Sequence, residues 1–221
     1  TKYLDGHAAT VGGAVVDSGQ FDWMAHAEKF PGLCTPDASY HGLTYTKAFG
    51  KMGYLTKLMA QLMRDLGSIP SPHNSYLLNL GLESLHLRMA QHCRNAQQIA
   101  EFLEQQEQVA WIHYCGLKND AHYSLGQKYL PNGSCGVIAF GLKGDRDTAI
   151  RFMDSLRLIN IATHVADSRT CVLHPASHTH RQLTDEQLRA SGIDPTLIRL
   201  SVGIEDVTDL LADIQQALAK C

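Results

Sequence analysis

Lys2 is the first residue whose surroundings suggest chemistry, because it lies in the glycine-containing segment TKYLDGH at residues 1–7. A lysine beside a chain end is most simply a solvated charge. A lysine amine becomes a nucleophile when burial or neighbouring cations favour its neutral form. The residues alone leave both interpretations open.

Arg199 lies in the apolar segment LIRLSV at residues 197–202. Strand alternation places Arg199 and Ser201 on one face and three apolar side chains on the other. The simple interpretation is a solvated arginine. The alternative is a bidentate clamp on a ligand carboxylate, for which a planar guanidinium is better suited than an ammonium group.

Three histidines, His174, His178 and His180, lie close together in the segment HPASHTH. Their spacing suggests a metal site, but Pro175 and the hydroxyl residues favour a loop at a strand end. No carboxylate or cysteine follows at a recognisable metal-ligand spacing. We therefore predict no metal site and keep a metal-binding module as a distant alternative.

Together these segments resemble the Cys/Met-metabolism family of pyridoxal-phosphate (PLP) enzymes. Family members read Ser-x-Thr-Lys-Tyr-x-x-Gly-His at their Schiff-base lysine, and this chain has the pattern from its threonine onward. The segment RLSVGIED at residues 199–206 is similar to the family's substrate-binding motif, and HPASHTH to a wall of its active-site cleft. The similarity runs through all 221 residues and corresponds to about the second half of a family member.

The resemblance implies PLP as cofactor, Lys2 as the catalytic residue bound to it, and Thr1 as a contact to the cofactor phosphate. It implies that Arg199 binds the α-carboxylate of an amino-acid substrate. Relatives place a substrate-contacting residue, often Asn or Ser, at the position of His164, so the histidine is a departure. Thr163 is the fifth candidate, as a second substrate contact.

Within the family, the segment PDASYHG at residues 36–42 is most similar to the sequences of the O-acetylhomoserine sulfhydrylase branch. The implied reaction is replacement at the γ-carbon of O-acetyl-L-homoserine by sulfide or methanethiol, giving homocysteine or methionine. The alternatives are a cystathionine or methionine γ-lyase, a cystathionine γ-synthase, or a non-catalytic fragment with only a packing role. We expect the isolated chain to be inactive, because relatives carry much of the cofactor pocket in their first half.

The composition indicates which binding partners and which cellular compartment to expect. A net charge of −3 gives no reason to expect nucleic acid, and no apolar run reaches the roughly 18 residues of a membrane span. Six scattered cysteines without a C-x-x-C pair indicate reduced thiols in a cytoplasmic protein. The family resemblance implies a homo-oligomer, usually a tetramer, that binds small-molecule substrates.

Apolar periodicity predicts the elements that position these residues. We expect a short strand at residues 14–16, a long loop over 25–50, and helices over 55–66, 76–106, 147–158 and 207–220. Further strands are expected at residues 109–114, 136–140, 170–173 and 197–202. The implied architecture is α/β plus α+β, of PLP-dependent fold type I (aspartate-aminotransferase-like). Residues 1–92 would be the tail of the large domain, and residues 93–221 the complete C-terminal domain, with the boundary inside the long helix.

Overall fold

The computed structural model describes all residues from 1 to 221, and the chain forms two compact units. Unit 1 consists of residues 1–11 and 76–221, and unit 2 of residues 12–75. Unit 1 contains all five strands, whereas unit 2 is built from short helical segments. The domain boundary expected near residue 93 stays a prediction.

Unit 2 contains more helix than the sequence predicted. Instead of a continuous loop over residues 25–50, short helical turns follow one another. The segments are the 3₁₀ turns Met24–His26, Ala38–Tyr40 and Gly50–Met52, the π-helix Leu58–Met63, and helices α1 (Pro31–Cys34), α2 (Tyr45–Phe49), α3 (Gly53–Lys57) and α4 (Arg64–Leu66). The helix predicted over 55–66 is thus present in three pieces, and Gly67 ends it with a φ of +68°.

The strand predicted at residues 14–16 is wrong. These residues have no regular secondary structure, and Val16 is 91% exposed. A strand needs a hydrogen-bonded neighbour, and the one β-bridge in unit 2 joins Asp37 to Leu43. Three small apolar residues therefore do not specify a strand without a partner.

In unit 1, five strands form one mixed sheet in the order β1-β2-β5-β4-β3. They are β1 (Val109–His113), β2 (Val137–Leu142), β3 (Asn160–Ile161), β4 (Cys171–Leu173) and β5 (Leu197–Ser201). All neighbours are antiparallel except β3 and β4. The sequence predicts four of these strands, and β3 is too short to produce a periodic signal.

One face of the sheet packs against helices and forms the core of unit 1. The helices of this unit are α5 (Pro72–Glu83), which belongs to it from Tyr76 onward, α6 (Leu85–Glu104), α7 (Tyr123–Tyr129), α8 (Arg146–Ser155), α9 (Asp185–Ala190) and α10 (Val207–Leu218). Side chains of α6, α8 and α10 join the core-facing residues of the strands in a single buried cluster. Ile198 and Leu200 of β5 belong to this cluster, so Arg199 lies on the opposite face, as the alternation predicts.

Three aspartate side chains, of which Asp213 is buried, fix the connections between these elements. The Asp145 carboxylate caps α8 by accepting from the Thr148 amide at 3.0 Å, and Asp206 caps α10 through the Thr208 amide at 2.8 Å. Asp213 of α10 accepts from the backbone amides of residues 157, 158 and 159, each at 2.9 Å. These bonds satisfy the chain where it leaves α8.

The continuous helix predicted over residues 76–106 is interrupted. Helix α5 ends at Glu83 and α6 begins at Leu85, with Ser84 between them at a φ of −105° and a ψ of 2°. The Ser84 hydroxyl accepts a hydrogen bond from Arg88 Nε at 3.0 Å. Apolar spacing does not reveal this break, because the apolar stripe passes through it unchanged.

No helix in the structure combines the length and apolarity needed to cross a membrane.

Stability of unit 1 is expected to fall as the pH drops below about 6.5, the ordinary pKa of histidine. His174 is fully buried, and burial lowers the pKa of its imidazole. The unfolded chain therefore takes up a proton that the folded chain resists. Above pH 6.5 both states are neutral and the effect vanishes. Urea unfolding of His174→Gln between pH 5 and 8 should show a weaker pH dependence, whereas the exposed His122→Asn should match the parent.

Candidate active site

The segment carrying Lys2 is a tight turn. The Gly6 amide donates to the Lys2 carbonyl at 2.7 Å, and Gly6 has a φ of +73°, which favours glycine. The Lys2 side chain is exposed, while Asp5 and Gly6 behind it are buried. The backbone of the turn is therefore fixed, while the lysine side chain remains accessible to solvent.

Arg88 of α6 holds the turn from one side. Its Nη1 donates to the Tyr3 carbonyl at 2.9 Å and its Nη2 to the Gly81 carbonyl at 2.6 Å. Arg88 is 5% exposed, and this burial lowers the pKa of its guanidinium. The negative charge of the nearby Asp5 opposes that shift. Arg88 thus joins the turn to the junction between α5 and α6.

Tyr3 holds the turn from the other side. Its hydroxyl accepts from the Gly136 amide at 2.9 Å, and burial raises the pKa of that hydroxyl. Its ring packs edge-on against His92 of α6, with 5.1 Å between the ring centroids. The His92 Nδ1 donates to the Val202 carbonyl at 2.7 Å, so the imidazole is itself positioned by the segment that follows β5.

Four more hydrogen bonds, accepted by Asp5 and Gly6, complete the support. The Asp5 carboxylate accepts from the Ala9 amide at 2.8 Å and from the Thr10 amide at 3.3 Å. The Gly6 carbonyl accepts from both the amide and the hydroxyl of Ser168, each at 2.8 Å. Supports from residues 81–92, 136, 168 and 202 therefore converge on the turn of Lys2.

Adding a methyl group at Gly6 is expected to destabilise unit 1 strongly. A Cβ there would lie 2.2 Å from Arg88 Nη1, and a left-handed φ alone costs a non-glycine residue about 1–2 kcal/mol. Gly192→Ala is the matched control, because Gly192 has a φ of +75° but open space around it. Chemical denaturation should show a larger loss for Gly6→Ala than for the control. Equal losses would show that the Arg88 contact contributes nothing.

Arg199 is the second feature of the site. Its Nη2 donates to the backbone carbonyls of Thr163 at 2.8 Å and of His164 at 3.2 Å. Its Nε is buried and has no hydrogen-bond partner, and no carboxylate forms an ion pair with the guanidinium. Burial lowers the pKa of the group. A partly buried cation without a counter-ion favours binding of an anion from solution.

Thr163 and His164 contact Arg199 through their carbonyl groups, and not through their side chains. The His164 Nε2 is buried without a hydrogen-bond partner. These two residues therefore orient the guanidinium in this structure, and direct contact of their side chains with a substrate stays a prediction.

The other residues of the segment RLSVGIED make structural contacts. The Ser201 hydroxyl accepts from the Ala166 amide at 2.8 Å. The Glu205 carboxylate accepts from the Thr170 amide at 2.6 Å and the Thr170 hydroxyl at 2.8 Å. A Cβ at Gly203 would lie 2.4 Å from the Ser168 carbonyl, so only glycine fits there. This segment fixes the loop that binds the Gly6 carbonyl.

The histidine segment also has structural contacts. His174 Nε2 donates to the Pro195 carbonyl at 2.7 Å, and its Nδ1 bonds the Ser177 hydroxyl at 2.9 Å. His178 Nδ1 donates back to the His174 carbonyl at 2.9 Å. No group of three or more His, Cys, Asp or Glu side chains is arranged to hold a metal ion.

The segment PDASYHG forms a turn within unit 2. The Asp37 carboxylate accepts from the Ser39 amide at 3.0 Å and forms a salt bridge with Lys57 at 2.9 Å. The Lys57 ammonium and the Ser39 hydroxyl hold the pKa of Asp37 at about 2. The Tyr40 hydroxyl donates to the Ala60 carbonyl. These contacts explain the segment as a fixed turn.

Comparison with known proteins connects these features. A family model described as Cys/Met metabolism PLP-dependent enzyme matches residues 1–219. The chain belongs to this family. The family assignment confirms the resemblance found in the sequence. It places the turn of Lys2, and Arg199 with the two carbonyls that hold it, within a PLP-dependent enzyme fold.

Several family members are similar over the whole chain. O-acetyl-L-homoserine sulfhydrylase 1 of Thermus thermophilus is 41% identical over 219 residues, which are 99% of this chain and 52% of that protein. Homocysteine synthase of Schizosaccharomyces pombe is 41% identical over 218 residues, 99% of this chain and 51% of that protein. The chain spans about half the length of the curated relatives it matches.

A solved structure of the family agrees with the fold. A Campylobacter jejuni protein described as an O-acetylhomoserine (thiol)-lyase superposes with a TM-score of 0.85 at 34% identity, covering 99% of this chain and 52% of that chain. Its structure contains a pyridoxyl-lysine phosphate. The prediction of fold type I is confirmed by this match together with the family assignment.

Sequence reasoning missed the residues that support the turn. Arg88, His92, Asp5 and Ser168 were not among the candidates, although Arg88 and His92 carry a usable signal. Both are polar side chains on the buried face of α6, where an apolar residue is expected.

Proposed function

We propose that this chain contributes the catalytic lysine and the carboxylate-binding arginine of a PLP-dependent γ-replacement. The substrate would be O-acetyl-L-homoserine, the nucleophile sulfide or methanethiol, and the products acetate with homocysteine or methionine. The names of the relatives in Thermus thermophilus and Schizosaccharomyces pombe support this reaction class.

The observation that carries the proposal is the absence of a counter-ion at Arg199. Two backbone carbonyls hold the guanidinium in place while its Nε keeps no partner. Carbonyl groups carry no net charge, so the cation attracts the α-carboxylate of an amino acid. Binding at this position would orient the substrate without taking part in bond breaking.

Lys2 fits the position of a cofactor-binding lysine. Its amine is exposed while the backbone around it is held by Arg88 and Tyr3. Lys2 would bind PLP covalently and Thr1 would contact the phosphate. When bound, PLP supplies an electron sink that stabilises carbanions next to its imine carbon. Once the substrate amine displaces it, the Lys2 Nζ would accept and donate protons at the substrate carbons.

The remaining parts of the proposal concern the setting of the protein. Thr163 and His164 would lie beside the substrate because their carbonyls hold Arg199. Family resemblance supports a cytoplasmic homo-oligomer, with a tetramer as the expected state. Neither nucleic acid nor a membrane is expected as a partner.

The test is an assay of the protein expressed from the complete gene. With PLP and O-acetyl-L-homoserine, we expect homocysteine and acetate to form only when sulfide is added. Release of a 2-oxo acid without sulfide would instead identify a γ-lyase. Cystathionine formation with cysteine as the preferred nucleophile would identify a γ-synthase. Failure of borohydride to trap PLP on any lysine would favour a role in packing alone.

A further inference from the structure

Three free thiols lie close together in unit 1, around the Tyr114 side chain. We call Cys93, Cys115 and Cys135 the thiol cluster; each is partly exposed. A Cβ at Gly133 would lie 2.7 Å from Cys93 Sγ, so the segment leading to Cys135 crosses directly over the Cys93 thiol. This proximity joins α6 to the segment before β2.

The backbone of Cys135 makes one side-chain contact within the cluster. Its carbonyl accepts from the Tyr114 hydroxyl at 3.0 Å, and its φ of +65° is unusual for a residue other than glycine. Burial raises the pKa of its thiol, and the charges of Cys93 and Cys115 raise it further. Of these two neighbours Cys93 has the larger influence.

The pair Cys93 and Cys135 flanks the support of the Lys2 turn. Cys93 directly follows His92, which packs on the Tyr3 ring. Cys135 directly precedes Gly136, whose amide donates to the Tyr3 hydroxyl. A covalent bond between these cysteines would therefore link the two elements that hold Tyr3.

We propose that Cys93 and Cys135 form a disulfide bond when the protein meets a low-molecular-weight disulfide such as glutathione disulfide. The Cys93 thiolate attacks one sulfur of the reagent, forming a mixed disulfide and releasing one thiolate. The Cys135 thiolate then attacks the Cys93 sulfur and releases the second thiolate. The two protein protons are taken up by the two released thiolates, so the protein is oxidised and the reagent is reduced to two thiols.

Cys93 is the residue that meets the reagent first. It lines an open groove of about 490 Å³, together with Arg94, Gln97 and Asn132, whereas Cys135 does not line this groove. The Arg94 guanidinium suits a reagent that carries carboxylates, as glutathione does. The segment from Pro131 to Gly136 has no helix or strand of its own, so it can approach Cys93.

The test incubates the folded protein with glutathione disulfide, alkylates the remaining thiols and maps the peptides by mass spectrometry. We expect a Cys93–Cys135 crosslink with a mass loss of about 2 Da, one hydrogen for each thiol, reversed by dithiothreitol. In Cys135→Ser the first step persists without the second, so Cys93 should retain one glutathione. Cys115→Ser and Cys221→Ser should form the crosslink like the parent.

If Cys93 and Cys135 of the parent protein are both found alkylated, their thiols stayed free during the incubation and the proposal is overturned. A crosslink from Cys93 to Cys115 would also overturn it. Unfolding transitions show whether each serine variant folds like the parent. If a variant does not fold, the presence or absence of the Cys93–Cys135 crosslink in the parent protein alone tests the proposal. The readout is a mass, so it is independent of the proposed function: failure of the γ-replacement assay leaves the disulfide result intact, and the reverse also holds.

Discussion

Lys2→Arg is expected to reduce turnover by at least about 10²–10⁴-fold, the range for loss of a positioned acid–base group. The guanidinium keeps the positive charge but does not deprotonate near neutral pH and does not form the covalent bond to the cofactor. The surrounding turn is held through backbone and Tyr3 contacts that do not involve the lysine side chain. Stability should therefore stay within about 0.5 kcal/mol of the parent, as for other surface substitutions.

The matched control is Lys220→Arg, which alters an exposed lysine near the end of the chain. Steady-state assays of both variants, with PLP trapping by borohydride, separate the two outcomes. The parent and the control should yield a pyridoxyl group on the peptide containing Lys2. Full activity in Lys2→Arg, or trapping at another lysine, would refute the assigned role.

Arg199→Lys is expected to lower kcat/KM for O-acetyl-L-homoserine by about 10- to 100-fold, since hydrogen bonds to charged groups are worth about 1.5–3 kcal/mol. An ammonium group replaces two aligned donors by a point charge. The loss should appear mainly as a raised KM, because the carboxylate is bound both before and during the reaction. The apparent affinity for sulfide should not change.

Arg169→Lys provides the control for this second variant. Arg169 pairs with Asp167 at 3.1 Å, but its side chain is 70% exposed. The substitution therefore alters a surface ion pair that contributes little to the free energy of unfolding. A KM for O-acetyl-L-homoserine that is unchanged in Arg199→Lys would place the carboxylate elsewhere. Denaturation midpoints of both variants show whether altered folding accounts for any loss.

The sequence predicted those parts of unit 1 in which local pattern and tertiary packing agree. Strand β5 alternates cleanly, so the placement of Arg199 opposite Ile198 and Leu200 follows from periodicity alone. The cap of α10 depends on equally local contacts, because the Asp206 carboxylate accepts from the Thr208 amide two residues later. The candidates Lys2 and Thr1 come from a family resemblance, since composition favoured a solvated lysine.

The features that sequence did not predict depend on contacts between distant residues. The break at Ser84 is associated with Arg88, which reaches the Tyr3 carbonyl across 85 positions of sequence. The strand at residues 14–16 failed for the opposite reason, since no distant partner pairs with it. Hydrophobic periodicity contains no information about either kind of contact.

The wide sequence separation of the contacts around the Lys2 turn has a consequence for biosynthesis. Ser168 lies 162 positions after Gly6, whose carbonyl it binds. At about 5–20 residues per second, the ribosome delivers Ser168 roughly 8–30 s after Gly6. Throughout that interval the lysine turn lacks a partner needed for its final shape. The turn of Lys2 therefore reaches its final shape late in synthesis, after Ser168 has emerged and long after the turn itself.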